Sequence, residues 1–534
     1  MLPNGLTVLL KPDTAAPVSS VQVWVKTGSM HEGGALGAGL SHYLEHMLFK
    51  GTERRAGREI SATVQAHGGY INAYTTFDRT VYYIDVPAEH TGVAIDLLAD
   101  ATLHSILPAD EVAKEKDVIL REIDMCLDDP DQRLSQGLFE TAFRHHPYRQ
   151  PIIGHRDVFA ACTRDDLLAY YRARYVPNNL VLIIAGDFDP VTVRGQVAEH
   201  FGRTPRARLA PVLVPDEPAQ LSRRDLHLFE DVQVSRAGLG WQIPGLTHPD
   251  APALDVLATV LGQGDSSILW QSIREQARLV HSIEAMAWSP GTCGLFYVSY
   301  LADAEKRVAA EQAILRELSR VADRGISART LAKAVRQAVT AEIRMRKTMS
   351  GQASRLGAAE VIVGDINYSR RYFEQLFALT PADLRRVMRT YLVADKLTVV
   401  SSNPAGAAGR TEAPAVRAAA SLDFEECTLP NGARLLLQPN RQLPNLHLRL
   451  AFAGGPMVEP SDRRGLTSLL ANLLAKDTAR RSAEEVARAI EEVGGSFNEF
   501  SGNNSFGLAA EVLPGDAGLA LGLMEDAILR PAFK

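Results

Sequence analysis

The stretch over residues 39–52 reads Gly-Leu-Ser-His-Tyr-Leu-Glu-His-Met-Leu-Phe-Lys-Gly-Thr, and the rest of the chain is organised around it. Its two histidines, His42 and His46, stand four positions apart, so in a helix both imidazoles project from one face. Glu45 lies three positions after His42 and projects beside the same face. Two neutral imidazoles suit zinc, and a nearby carboxylate can take a proton from metal-bound water. Two ordinary helix histidines would give the same pattern, so the motif alone leaves both interpretations open.

Composition and charge exclude several functional classes. The chain has 534 residues, which indicates three or four domains at about 100–200 residues each. A net charge of -6 gives no electrostatic footprint for nucleic acid, and no apolar run is long enough to span a membrane. The four cysteines are widely scattered, so structural disulfides are not expected. We therefore expect a soluble protein that binds no nucleic acid.

The N-terminus shows no pattern typical of a targeting segment. Met1 is followed at once by Leu-Pro-Asn-Gly and a predicted strand, so we expect no signal peptide in this chain. Because the chain begins at a predicted domain edge, a leader removed from it would leave no trace. The sequence leaves the compartment open between the cytoplasm and the periplasm.

Periodicity and composition divide the chain into repeated units. Apolar alternation and β-branched runs predict strands, and segments of helical period surround them, with long helices over 327–364 and 368–392. We predict an α+β fold of antiparallel sheets layered with helices, with two complete units and an incomplete third. The predicted divisions are a domain at residues 1–212, a second domain at 213–403, an Ala-, Pro- and Gly-rich linker at 404–423, and the incomplete repeat at 424–534.

The third unit repeats the first. The Leu-Pro-Asn-Gly of residues 2–5 recurs at residues 429–432, and the Gly-Leu that opens the motif helix recurs at residues 465–466. In this copy the three polar residues of the motif become Ser468, Ala471 and Asn472. These residues do not replace a zinc site, so we expect the copy to keep the fold without the metal.

One predicted helix offers the third ligand that a catalytic zinc needs beside its open position. Among its carboxylates, the helix at 109–127 offers Glu115 and Glu122, which stand seven positions apart and therefore share a face. Spacing alone does not choose between them. A solvated helix face is the alternative interpretation for Glu115.

With this helix in place, the chain resembles over its whole length the insulinase-like metallopeptidases, the family of pitrilysin and the mitochondrial processing peptidases. The inverted motif at residues 42–46 and the segment Glu-Lys-Asp-Val-Ile-Leu-Arg-Glu-Ile at 115–123 carry the resemblance. The site that it implies consists of the zinc ligands His42, His46 and Glu122, the general base Glu45 acting on zinc-bound water, and the supporting catalytic carboxylate Glu115.

The segment Gly-Gly-Tyr-Ile-Asn-Ala-Tyr-Thr at residues 68–75 is similar to the family's edge strand beside the zinc. In the family a peptide substrate adds to this edge as an extra strand, held by main-chain hydrogen bonds. Asn72 and Ala73 match the positions that contact substrate, so the resemblance implies that they bind it. A turn role is the alternative for Asn72 taken alone.

The resemblance implies a zinc-dependent metalloendopeptidase that hydrolyses peptides or unfolded polypeptides. The alternatives are a non-catalytic structural or assembly relative of the same family, and a zinc hydrolase that acts on something other than peptides. Two-half members of the family have four domains, so we expect this sequence to be a fragment of a longer protein. The resemblance then implies a second chain or a missing C-terminal domain that closes a chamber around the site.

Overall fold

The computed structural model describes residues 1–404, 425–438, 445–455, 458–460, 463–502 and 504–533. The chain divides into two compact units. The first comprises residues 1–230 and 234–404, and the second comprises residues 231–233 and 405–534. The predicted linker at 404–423 lies outside the described residues, apart from its first residue. None of the helices in the described ranges is long and apolar enough to cross a membrane.

The first half of the first unit is a five-stranded sheet with surrounding helices. Its strands are β1 (Thr7–Pro12), β2 (Val18–Val25), β3 (Tyr70–Thr75), β4 (Thr80–Pro87) and β5 (Leu180–Gly186). Its helices are α1 (Leu40–Met47), α2 (Gly57–Ala66), α3 (Thr91–Leu103), α4 (Ala109–Asp128), α5 (Pro130–Ala142), α6 (Arg156–Ala161), α7 (Arg164–Arg174) and α8 (Pro190–Phe201). The strand order is β1-β5-β2-β4-β3, and all pairings are antiparallel except that of β1 with β5.

The inner strands β2 and β5 of this first sheet are buried along almost their whole length, so both faces of the sheet are covered. Val21, Val23 and Val25 of β2 pack in the same core as residues of α1, α3 and α7. Trp24 points to the opposite face, where it packs with Val181 of β5. β3 stands at the end of the strand order and therefore presents a free edge.

The second half of the first unit repeats this plan. Its strands are β6 (Arg224–Glu230), β7 (Ser235–Pro244), β8 (Ser282–Trp288), β9 (Cys293–Ala302) and β10 (Leu397–Pro404). Its helices are α9 (Ala251–Gly262), α10 (Arg307–Arg324), α11 (Ala328–Met345), α12 (Met349–Ala358), α13 (Tyr368–Ala378) and α14 (Pro381–Tyr391), with π-helical turns at Trp270–Gln276 and Ala359–Val363. The strand order of this second sheet, β6-β10-β7-β9-β8, follows that of the first, including one parallel pair between β6 and β10.

The two halves of the first unit exchange covering helices. α5 packs on β7 and β10 of the second sheet, and α12 packs on β2 and β5 of the first sheet. Glycines make the close approach possible: a Cβ atom on Gly357 of α12 would lie 2.2 Å from the ring of Trp24. Leu138 of α5 similarly lies over Gly238 and Gly240 of β7. Each sheet is therefore completed by a helix from the other half.

The second unit has a smaller sheet and a hairpin. Its strands are β11 (Glu425–Thr428), β12 (Arg434–Leu437), β13 (Leu446–Ala453), β14 (Ser496–Ser501) and β15 (Ser505–Val512). Its helices are α15 (Leu466–Leu474), α16 (Ala483–Glu492) and α17 (Ala517–Leu529). The order β13-β15-β14 matches the order β2-β4-β3 of the first sheet, as the sequence repeat predicts. The predicted α+β class with repeated units is confirmed, whereas all the predicted domain boundaries stay predictions.

Candidate metal centre

Helix α1 carries the histidine motif, and two buried features fix where it begins. Gly39 caps the helix in a left-handed conformation (φ 71°), in which a Cβ atom would lie 2.1 Å from the carbonyl oxygen of Ile153. The Glu32 carboxylate accepts hydrogen bonds from the backbone N–H groups of Gly39 (3.1 Å) and Ser41 (2.9 Å). Burial raises the pKa of Glu32 to about 7, although these bonds act in the opposite direction. These contacts set the start of α1 and so the directions of its histidines.

The two histidines of α1 meet one carboxylate of α4. Nε2 of His42 lies 3.8 Å from Oε1 of Glu122, and Nε2 of His46 lies 3.6 Å from Oε2 of the same carboxylate. The ligand atoms of these three residues all lie within 4.8 Å of one another, and no other such group occurs among the described residues. The Tyr43 hydroxyl, which donates to the carbonyl oxygen of Val112 at 2.5 Å, holds α1 against α4.

The chemistry of this donor set fits zinc. Burial lowers the pKa of His42 to about 3, and the charge of His46 acts in the same direction, so His42 is a neutral imidazole that can ligate. Two imidazole nitrogens and one carboxylate oxygen are the three protein ligands of a catalytic zinc, which keeps a fourth position open. The Glu122 side chain is 42% exposed, so solvent reaches this position.

Glu115 lies behind His46 and not among the ligand atoms. Its Oε2 atom is 3.1 Å from Nδ1 of His46, and Lys50 forms an ion pair with its other oxygen. A carboxylate on Nδ1 fixes the tautomer of a ligating histidine and turns its Nε2 toward the metal. Burial opposes ionisation of Glu115, but the hydrogen bonds from Lys50 and His46 lower its pKa. The geometry gives Glu115 a supporting position.

Glu45 stands on the same helix but outside the group of ligand atoms. Its Oε2 atom accepts a 2.6 Å hydrogen bond from the hydroxyl of Thr75, the last residue of β3. Burial raises the pKa of Glu45, and the bond from Thr75 opposes this effect. The sequence patterns do not identify Thr75, and its only signal there is its place at the end of the edge segment.

Asn72 and Ala73 lie within β3 at its free edge. Together with Glu45 and His46 they line a cavity of about 1450 Å³. The Asn72 amide donates to the Tyr70 hydroxyl at 2.6 Å, and its carbonyl oxygen accepts from the Ala73 N–H at 2.8 Å. The structure thus brings both residues beside the ligand group, while their role toward substrate stays a prediction.

In the repeat, the positions of the motif fall on α15. The Asn472 amide donates to the carbonyl oxygen of Ser468 within the helix at 3.0 Å, and Ala471 is fully buried. The start of this helix is built as in α1: Gly465 caps it with φ 94°, and Glu459 accepts from the N–H groups of Gly465 and Thr467. The capping contacts recur although the motif side chains do not.

Comparison with known proteins decides the family. Residues 7–156 and 434–534 match the model of the insulinase family, described as peptidase family M16. Residues 161–338 match the model described as peptidase M16 inactive domain. The chain belongs to peptidase family M16. The family predicted from the sequence motifs is therefore confirmed. The same family model covers both the motif region and its repeat.

The relatives of this M16 chain include proteins named zinc proteases. An uncharacterized zinc protease of Streptomyces coelicolor is 31% identical over 399 residues, which are 73% of this chain and 86% of the relative. One of Mycobacterium tuberculosis is 37% identical over 285 residues, 53% of this chain, and the chain spans only 65% of that relative. The crystal structure of a protease from Helicobacter pylori matches with a TM-score of 0.71 at 28% identity, over 76% of this chain and 98% of that one.

Proposed function

We propose that the chain is a zinc-dependent metalloendopeptidase that hydrolyses peptides or unfolded polypeptides. One observation carries the proposal: the ligand atoms of His42, His46 and Glu122 converge. Glu45 lies on α1 with the two histidines, and the Thr75 hydroxyl holds its carboxylate. Membership of family M16 and relatives named zinc proteases support the same reaction class.

The metal would be held by Nε2 of His42, Nε2 of His46 and the Glu122 carboxylate. When bound there, zinc supplies a Lewis acid for the peptide carbonyl and lowers the pKa of water. Glu115 accepts from Nδ1 of His46 and so keeps Nε2 of that ring directed at Glu122.

Proton transfer falls to Glu45. Thr75 bonds its Oε2 atom, and we assign to its other oxygen, Oε1, the proton that the attacking water gives up. Glu45 then returns that proton to the nitrogen of the leaving amine, which makes the carboxylate available again. A hydroxyl on one oxygen also limits rotation of the carboxylate, so the basic oxygen keeps its position between the two transfers.

An extended peptide fits the free edge of β3 as an additional strand. A substrate carbonyl that accepts from the Ala73 N–H would replace the bond now made by the Asn72 side chain. Because main-chain hydrogen bonds are the same for every sequence, this mode of binding selects substrates that are unfolded and does not select a particular sequence. A second chain or a further C-terminal domain that closes over this edge belongs to the same proposal.

Cleavage of internally quenched peptides tests the function. We expect hydrolysis by the wild type, loss of hydrolysis with a chelator, and recovery on adding zinc. Glu45→Gln keeps the shape of the side chain but cannot accept the proton, so hydrolysis should fall about 10²- to 10⁴-fold with zinc retained. Cleavage that survives both the chelator and this substitution would contradict the proposal, and zinc binding without any cleavage would favour a non-catalytic relative.

A further inference from the structure

A cavity of about 300 Å³ lies where α12 meets the end of the first sheet. Its wall consists of the start of β2, the start of β3, the end of β4 and the N-terminal turn of α12. We call it the seam pocket, because the strands belong to the first half of the first unit and α12 to the second half. Its volume is at the lower limit of ligand pockets, about 300 Å³, so the pocket suits a small group.

The register of the first sheet places the seam pocket away from the candidate metal centre. Asp85 of β4, which lines the pocket, pairs with Ser20 of β2. Because side chains alternate along a strand, both residues lie on the same face as Trp24, whereas the core valines of β2 lie on the face of α1. α12 covers the Trp24 face. The seam pocket is therefore on the opposite face of the sheet from the histidine motif.

Asp85 has the only charged side chain among the described residues that line the seam pocket. Its Oδ1 atom is buried and has no hydrogen-bond partner in the described part of the chain. Burial raises the pKa of Asp85, although the hydroxyls of Ser20 and Ser350 act in the opposite direction. A buried carboxylate oxygen without a donor is unfavourable, and a cation bound beside it would stabilise its charged form.

The rest of the lining combines hydroxyl groups with apolar surface. Thr348 and Ser350 offer hydroxyl oxygens that can accept hydrogen bonds, and Val18 and Met349 add aliphatic surface. An ammonium group has three donors, so it can bond Oδ1 of Asp85 and the hydroxyls together. The hydrocarbon chain attached to it would then contact the apolar wall.

Two other kinds of cation match this lining less well. A guanidinium group is a planar fork with five donors, and a pocket with a single carboxylate would leave most of them unpaired. A calcium ion takes about six to eight oxygen ligands and gains nothing from aliphatic surface. A primary ammonium on a short alkyl chain matches both the charged and the apolar part of the wall.

We propose that the seam pocket binds a primary alkylammonium group, with Oδ1 of Asp85 as its charged partner. The group belongs either to a free amine or to the side chain of a lysine in a peptide, since both present the same chemistry. A bound ligand contacts the first sheet and α12 together, so it should stabilise the first unit against unfolding. The proposal does not rest on the peptidase function, because binding at this face requires neither metal nor hydrolysis.

A ligand-observed NMR titration of the full chain with n-pentylamine tests the proposal. The matched ligand is n-pentanol, which has the same length without the charge. We expect n-pentylamine to bind with a Kd on the order of 1 mM, and n-pentanol at least about tenfold more weakly. Because this comparison needs only the wild type, it decides even if a variant fails to fold.

A pair of variants locates the binding site. Asp85→Asn keeps the shape of the side chain and removes its charge, so the affinity for n-pentylamine should fall by about tenfold or more. Asp165→Asn removes an exposed carboxylate on α7 and should bind n-pentylamine as the wild type does.

A lysine peptide distinguishes the two sources of the ammonium group. N-acetyl-glycyl-lysyl-glycinamide presents the same group within a chain. If this peptide and n-pentylamine both bind in an Asp85-dependent way, the pocket accepts lysine side chains. If n-pentylamine alone does so, the pocket takes free amines, and either result supports the proposal.

Three outcomes would overturn the proposal. The first is an absence of saturable n-pentylamine binding in the wild type. The second is equal affinity for n-pentylamine and n-pentanol, because the charge would then have no effect. The third is an Asp85→Asn variant that binds n-pentylamine as tightly as the wild type, which would place the amine elsewhere on the protein.

Discussion

At the scale of single residues, the candidate centre depends on which atom of each side chain is already engaged. Glu115 takes Nδ1 of His46, so Nε2 is the atom left for a metal. The Thr75 hydroxyl bonds Oε2 of Glu45, and we propose that the other oxygen of this carboxylate accepts the proton. Nδ1 of His42, in contrast, is buried without a hydrogen-bond partner in the described part of the chain. The two proposed histidine ligands are therefore held unequally.

Thr75 provides a test at this scale. Thr75→Val keeps the shape but removes the hydroxyl that bonds Glu45, and the loss of a hydrogen bond to a charged group should lower kcat by about ten- to a hundredfold. KM and zinc content should not change, because Thr75 is not a proposed ligand. Thr75→Ser keeps the donor and should stay near the wild-type rate. Steady-state kinetics on one peptide decides, and equal losses in Val and Ser would contradict the positioning role.

Residues close in sequence were the ones that could be predicted. His42, Glu45 and His46 share one helix face, so helical period alone groups them. Glu122 required the family resemblance, because the packing of α4 on α1 has no local signal. Thr75 reaches Glu45 only because β3 packs beside α1 in the folded chain. Such tertiary neighbours leave no period in the sequence.

At the scale of elements, most strands and helices follow their local pattern, and the exceptions are at caps. The single helices predicted over 327–364 and 368–392 were wrong. Thr348 accepts from the N–H of Gly351 and starts α12, and Thr380 starts α14 with a capping box before Pro381. A capping residue inside an apolar periodic stretch divides one helix into two. The exchange of α5 and α12 between sheets had no signal in the sequence patterns.

Gly357 tests that exchange of helices. A Cβ atom there would lie 2.2 Å from the Trp24 ring, so Gly357→Ala should push α12 from the first sheet and destabilise by about 1–3 kcal/mol. Gly195 is the matched control, since it lies in α8 with no atom within 4 Å of an added Cβ. Gly195→Ala should stabilise by up to about 1 kcal/mol through helix propensity. Thermal unfolding compares the two, and a shift of the same sign in both would contradict the close contact.

At the scale of the whole molecule, one partly buried carboxyl, that of Asp255 on α9, contributes a pH dependence to the stability of the first unit. Burial raises the pKa of Asp255 from 3.8 to about 6, although Tyr372 donates a 2.6 Å hydrogen bond to it. The folded state therefore holds a proton between pH 4 and 6 that the unfolded chain releases. This contribution makes the fold less stable as pH rises through that window, and the loss is complete above it.

Asp255→Asn removes this titration and keeps an acceptor for Tyr372. Relative to the wild type, the variant should gain stability between pH 4 and 7, by up to about 3 kcal/mol. Urea unfolding, monitored by tryptophan fluorescence at pH 4 and at pH 7, measures the free energy of unfolding of both proteins. Subtracting the wild-type value from that of the variant removes the contribution of all other titrating groups. A variant that runs parallel to the wild type across this range would show that Asp255 is ionised in the fold throughout.

Zinc content tests most directly the central claim that His42, His46 and Glu122 hold a metal. Elemental analysis of the zinc-saturated, dialysed protein compares the wild type with Glu122→Gln, and Glu115→Gln on the same helix is the control. We predict about one zinc per chain in the wild type and almost none in Glu122→Gln. Glu115→Gln should also hold about one zinc, because the loss of a residue that only supports a ligand lowers zinc affinity by about 10- to 100-fold. A full zinc ion in Glu122→Gln, or loss of zinc only in Glu115→Gln, would contradict the proposed ligand set.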